Sequence, residues 1–168
     1  MPRFVTKLDD LTRIITFTVF IMVGITFIFL IQKSFALHQP ELIIAPALTL
    51  ILLGVTALFR TTAYQLEGGT LSVLRPAGKK EFAVADVEEL KLVTKEDLGF
   101  GLRTFGSGGF FGYFGRFVYK NAGKVTMYAT DRSKMLLIRF RDEKQIIITP
   151  DDTRGFIDAF NQLKKNKR

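Results

Sequence analysis

Few groups in this sequence could do chemistry. None of its 168 residues is cysteine, and the one histidine is His38. Thiolate nucleophiles, thiolate metal sites, disulfides, His-based triads and multi-His metal centres are therefore excluded. Paired carboxylates remain for acid–base work: Glu88-Glu89, Glu96-Asp97, Asp142-Glu143 and Asp151-Asp152. Neighbouring side chains on a strand point to opposite faces, so Glu88-Glu89 makes no dyad by itself. Asp142-Glu143 reads as a turn, as does Asp131, and Asp151-Asp152 reads as a helix start. No nucleophile, base and oxyanion donor come together. The expectation is a protein that is not an enzyme and needs no cofactor or metal, with a cryptic enzyme as the most distant alternative.

The most unusual stretch is residues 99–119, with seven glycines between Gly99 and Gly115. Its aromatics are Phe100, Phe105, Phe110, Phe111, Tyr113, Phe114, Phe117 and Tyr119. It reads as a loop too long for an ordinary hairpin connection, and such loops tend to be functional. Its aromatics need somewhere to bury, which argues against disorder. Three readings compete. The rings fill the mouth of the domain; or Phe110, Phe111 and Phe114 enter a membrane interface with Arg103 and Arg116 near headgroups; or the segment is a lid or groove for a peptide or membrane protein. Arg103, Phe110, Phe111, Tyr113, Phe114 and Arg116 are the candidate contact residues. Phe110 and Phe111 are expected at an exposed tip, and Phe117 and Tyr119 buried where the next strand begins. Gly106-Ser107-Gly108 with Gly112 suggests a phosphate cradle, but neither GxxxxGK[ST] nor a parallel βαβ unit accompanies it.

The elements that carry these groups divide the chain in two. Residues 14–32 and 42–59 are uncharged runs of 19 and 18 residues. At 1.5 Å per residue each helix spans roughly 27–29 Å, the thickness of a hydrocarbon core. A buried core helix would carry polar positions. A cleaved signal peptide ending near Ser34-Phe35-Ala36 would have a shorter apolar run and no second one behind it. The connection is short and broken by Gln39-Pro40, so the spans form an antiparallel hairpin. Arg3, Lys7, Arg13 and Arg60 flank one end and Lys33 alone the other, which puts both termini in the cytoplasm. Neither span holds an ionisable residue, so they read as an anchor.

Beyond residue 62 the pattern has period two. Strands are expected around Tyr64-Leu66, Leu71-Val73, 80–84, 87–94, 124–130, 135–141 and 145–149, with Gly68-Gly69 as a two-residue hairpin turn. A closing helix follows, with Thr149 as cap, Pro150 in the first turn, an apolar stripe of Phe156, Ile157, Phe160 and Leu163, and Lys164, Lys165, Lys167 and Arg168 at its end. The division is thus residues 1–62, a tail plus two spans, and 63–168, a cytoplasmic domain. About seven antiparallel strands and one helix must bury their apolar faces by closing up, as a small barrel or orthogonal sandwich with the helix over one open end.

That order of elements, with 101–117, Met127-Tyr128-Ala129-Thr130-Asp131 and Thr149-Pro150-Asp151-Asp152, resembles the membrane-anchored bacterial PH-like proteins of the pleckstrin-homology superfold. The resemblance implies a two-helix transmembrane hairpin, then a mainly-β PH-like barrel or sandwich with a C-terminal α-helix. It implies a binding or scaffolding module on the inner membrane, multi-pass, with the domain cytoplasmic. The alternative is an accessory or regulatory subunit docked on a partner membrane protein. PH-like domains elsewhere bind phosphoinositides or peptides; here Gly68-Gly69 carries no lysine, and Lys79-Lys80 comes one turn later. From residue 60 on, 20 Lys/Arg face 13 Asp/Glu. The expected partners are the lipid bilayer and either a protein or anionic headgroups, which attract basic residues by about 1 kcal/mol each. No nucleic-acid-binding motif is present, and nucleic acid and metal are not expected partners.

Overall fold

The computed structural model describes residues 2–165. Lys167 and Arg168, expected after the last helix, lie outside the described residues. The chain opens with a short strand, β1 (Arg3–Val5), and continues into helix α1 (Asp10–Leu37). Asp9 caps α1 by accepting the Thr12 amide at 2.7 Å. His38 ends the helix in the left-handed region, and a 3-10 turn (Pro40–Ile43) leads into α2 (Ile44–Leu58). Both helices are long and apolar enough to cross a membrane, and only 6% of each apolar window is buried. A core helix of a soluble protein would be covered.

The domain that follows contains β2 (Ala63–Glu67), β3 (Thr70–Arg75), β4 (Gly78–Ala83), β5 (Val87–Val93), a one-turn helix α3 (Lys95–Leu98), β6 (Gly101–Gly108), β7 (Tyr113–Tyr119), β8 (Gly123–Ala129), β9 (Met135–Phe140), β10 (Gln145–Ile148) and helix α4 (Thr153–Lys165). Four strands in the order β1-β2-β3-β4 form one sheet, and six in the order β5-β9-β10-β8-β7-β6 form the other. The sheets do not close on each other, so this is a sandwich rather than a barrel. Tyr64, Leu66, Leu71 and Val73 of the first sheet meet Leu136, Ile138, Phe140, Ile146 and Ile148 of the second, and Phe156 and Phe160 of α4 complete that core. Alternate residues of the second sheet, Val125, Met127, Ala129, Leu137 and Ile147, face away into another cluster with Leu98, Tyr113, Phe117 and Tyr119.

Four expectations change. The strands are not all antiparallel: β10 returns between β9 and β8, and because each successive strand reverses, it runs parallel to β8. Residues 99–119 are not a long loop but the hairpin β6–β7, paired from Gly101↔Tyr119 to Gly108↔Tyr113 with a bulge between Arg103 and Phe105. The first residues are not merely a tail, because β1 pairs with β2 and Phe4 packs edge-on to Phe156. Thr149 does not cap the last helix. Its hydroxyl accepts the Thr130 amide, its own amide donates to the Tyr64 hydroxyl, and Asp152 accepts the Gly155 amide at the helix start. The Tyr64 hydroxyl donates in turn to the Tyr128 carbonyl, and burial pushes its pKa up.

Candidate functional site

The hairpin β6–β7 splits the sequence-derived candidates among three places. At its tip, Gly109 to Gly112 turn the chain with the Gly109 amide donating to the Gly112 carbonyl. The Ser107 hydroxyl donates to the Phe110 carbonyl at 2.7 Å, so the glycine-serine run closes a turn rather than an anion cradle. Phe110 and Phe111 are half-buried, but in neither core of the sandwich. They lie on α1: both rings contact Phe20, at 5.9 and 5.8 Å between centroids, and the Phe111 amide donates to the Thr16 hydroxyl. Glycine is required at 109, where φ is +141° and a Cβ would stand 2.8 Å from the Ile15 Cδ1.

Tyr113 and Arg103 belong to the second place, the face of the six-stranded sheet turned away from the first sheet. Arg103, Tyr113, Phe117, Tyr119 and Arg132 line a depression of about 330 Å³. The Arg132 guanidinium lies 5.1 Å from the Tyr113 ring, and burial raises the pKa of both tyrosines. Phe117 and Tyr119 are buried there, as the sequence suggested.

Arg116 stands on the other face, because it alternates with Phe117 along β7, and the bulge in β6 brings Phe105 opposite it. On this face an open flank lies between β4 of the first sheet and β7–β8 of the second. Lys80 and Phe82 of β4 form one wall, Arg116, Val118, Lys124, Thr126 and Tyr128 the other, and the groove holds about 760 Å³. Phe82 stacks on Phe140 at 5.3 Å and meets Tyr128 edge-on at 5.9 Å, so the floor is aromatic. Asp142, Glu143 and Lys144 close one end, with Lys144 paired to Asp142. Lys80, Arg116 and Lys124 form no ion pair among the described residues. Beyond the groove Phe100, Leu102 and Phe105 are 72%, 60% and 74% exposed. Phe114 is half-buried between the tip and this flank. Lys80, Lys124, Phe82 and Tyr128 are not recognisable as a set from local patterns, since only the packing of the two sheets brings them together.

The carboxylate pairs have structural partners. Glu89 pairs with Arg139, and Asp97 closes a capping box with Thr94, which lowers its pKa. Asp142 binds Lys144 across a turn, and Asp151 accepts the Lys7 amide. Among the described residues no three His, Asp or Glu side chains are grouped to hold a metal ion.

No curated protein and no solved structure matches the chain. The family model for the bacterial PH domain matches residues 62–164, which is most of the chain and covers every strand from β2 to β10 with α4. With two apolar helices ahead of an open sandwich closed by a helix, the chain belongs to the bacterial PH domain family.

Proposed function

We propose that this protein is a two-span membrane anchor carrying a PH-like binding module on the cytoplasmic face of the inner membrane, and that the groove between β4 and β7–β8 holds an acidic segment of a partner membrane protein. The observation that carries this reading is the groove itself. Three cations that form no ion pair among the described residues rim an aromatic floor, a lining that suits a carboxylate-bearing, partly apolar chain. The attachment of the domain supports a location at the membrane surface. β1 belongs to the first sheet, the Asp9 amide donates to the Thr130 carbonyl, and the hairpin tip lies on α1. Both ends of the helical hairpin therefore meet the domain, on the side where Arg3, Lys7, Arg13 and Arg60 outnumber Lys33. The exposed Phe100, Leu102 and Phe105 favour docking on a larger partner, as an accessory subunit would, over capture of a small ligand.

A photo-crosslinking residue at Val118, on the groove wall, tests it in native membranes. A protein adduct should form with the native groove and disappear when Lys80, Arg116 and Lys124 are changed to glutamate. The same adduct with all three charges reversed, or lipid adducts alone, would refute the groove as the binding site.

A further inference from the structure

At the end of α2 two arginines lie on aromatic rings rather than on carboxylates. The Arg75 guanidinium stands 5.9 Å from the Phe59 ring and 5.9 Å from the Tyr128 ring. Arg60, next in the chain to Phe59, stands 5.9 Å from the Phe111 ring at the hairpin tip. Neither forms an ion pair among the described residues, and the Arg75 Nε is buried with no hydrogen-bond partner. The two are held at one level by the backbone. The Ala77 amide donates to the Leu58 carbonyl at 2.9 Å and the Thr62 amide to the Leu74 carbonyl at 2.9 Å, so the β3–β4 turn is tied to the last residue of α2.

A buried guanidinium donor left without an acceptor is costly, and Arg75 is half-buried, so part of its guanidinium is open to solvent for an anion. Phosphate is the anion that matches that fork in two parallel hydrogen bonds. Arg132 offers no equivalent place, although it too lies on a ring, because Asp9, Asp10 and Asp131 share its surroundings. Resting on the anchor reading above, the end of α2 marks the depth of the cytoplasmic headgroups.

We infer that Arg60 and Arg75, seated on Phe111, Phe59 and Tyr128, form a clamp for the phosphodiester of an anionic phospholipid of that leaflet. The clamp is made jointly by the second span, the β3–β4 turn and the β6–β7 tip. Binding a lipid there fastens the hairpin tip and the first sheet to the anchor at once.

The test uses the full chain reconstituted in nanodiscs of phosphatidylcholine, with or without phosphatidylglycerol, and counts retained anionic lipid by native mass spectrometry. Wild type should retain phosphatidylglycerol in preference to phosphatidylcholine. Arg75→Gln should weaken retention by more than fivefold, since about fivefold (about 1 kcal/mol) is what the diffuse attraction of one basic residue to a charged leaflet supplies by itself. Arg75→Lys should lose nearly as much, because an ammonium keeps the charge but not the fork. Lys120→Gln, an exposed cation at the far end of β7, should change nothing. If Arg75→Gln fails to fold, Arg60→Gln reads the same site from an exposed position. Retention unchanged in Arg75→Lys would reduce the effect to diffuse attraction and overturn the clamp. So would inorganic phosphate displacing the lipid from wild type at equal concentration, since the anion would then be a soluble one. A chain that enters the discs without preferring the anionic lipid refutes the clamp alone; a chain that stays outside them refutes the anchor and the clamp together.

Discussion

Removing the Phe20 ring should release the β6–β7 tip from α1 while leaving the sandwich folded. Phe20 is the shared partner of Phe110 and Phe111, with centroids 5.9 and 5.8 Å away and the second pair edge-on. An aromatic pair is worth about 0.5–1.5 kcal/mol beyond its buried area, so Phe20→Ala removes about 1–3 kcal/mol of docking energy. At tenfold per 1.4 kcal/mol the ratio of docked to released tip falls by roughly fivefold to 150-fold. The Phe111 amide reports it directly, because it donates to the Thr16 hydroxyl only while the tip is docked. Hydrogen exchange of the full chain in nanodiscs should show residues 109–113 exchanging faster by that factor, with β2 and β3 unchanged. Unaltered exchange at the tip would refute the contact. Equal acceleration in β2 and β3 would show that Phe20 supports the whole fold, which the packing in the structure gives no reason to expect.

Three further outcomes follow from the packing. Phe160→Ala should cost about 3–5 kcal/mol in denaturant melts, because Phe160 is 1% exposed in the inter-sheet core; a loss below about 1 kcal/mol would mean that α4 packs elsewhere. Asp9→Ala should cost about 0.5–2 kcal/mol through loss of the α1 cap and should free the Arg132 amide as well, visible as faster exchange at both Thr12 and Arg132; unchanged exchange at Thr12 would discount the cap. Gly106→Ala should disrupt the hairpin selectively, since φ is +103° and the new Cβ would overlap the Phe114 carbonyl oxygen across the strand pair; a full-strength hairpin by exchange in residues 101–119 would contradict that geometry.

The Gly68-Gly69 hairpin, the strands from β3 to β5 and β8 to β10, and the apolar stripe of α4 were legible because each is written in one local pattern of alternation or helical spacing. The β6–β7 hairpin was not. Glycines at 101, 106, 108 and 115 occupy strand positions where an alternating side chain would announce the period, and the bulge at Thr104 shifts what remains. β1 is three residues long and pairs with a strand some sixty residues away, so nothing local signals it. Thr149 has the sequence of a helix cap, yet Tyr64 and Thr130 claim its polar groups from distant strands. Burial of Phe117 and Tyr119 was legible in the sequence, but the exposed tip expected for Phe110 and Phe111 was not found, because both rings are half-buried against Phe20 of α1. The sequence could not show that Arg103 and Arg116 face opposite sides of one hairpin, nor that Arg75 reaches Phe59 and Tyr128 while Arg60 reaches Phe111, because these depend on how distant segments pack.

The proposed arrangement is a PH-like module held against the cytoplasmic face of a membrane by a helical hairpin. The absence of cysteine allows it to be tested with single introduced thiols. His38→Cys in the inter-helix turn and Lys144→Cys at the β9–β10 turn are labelled with a membrane-impermeant maleimide in intact cells and again after permeabilisation. Position 38 should react in intact cells and position 144 only after permeabilisation. Labelling at 144 in intact cells with protection at 38 would invert the orientation, and equal labelling of both before permeabilisation would remove the membrane from the account.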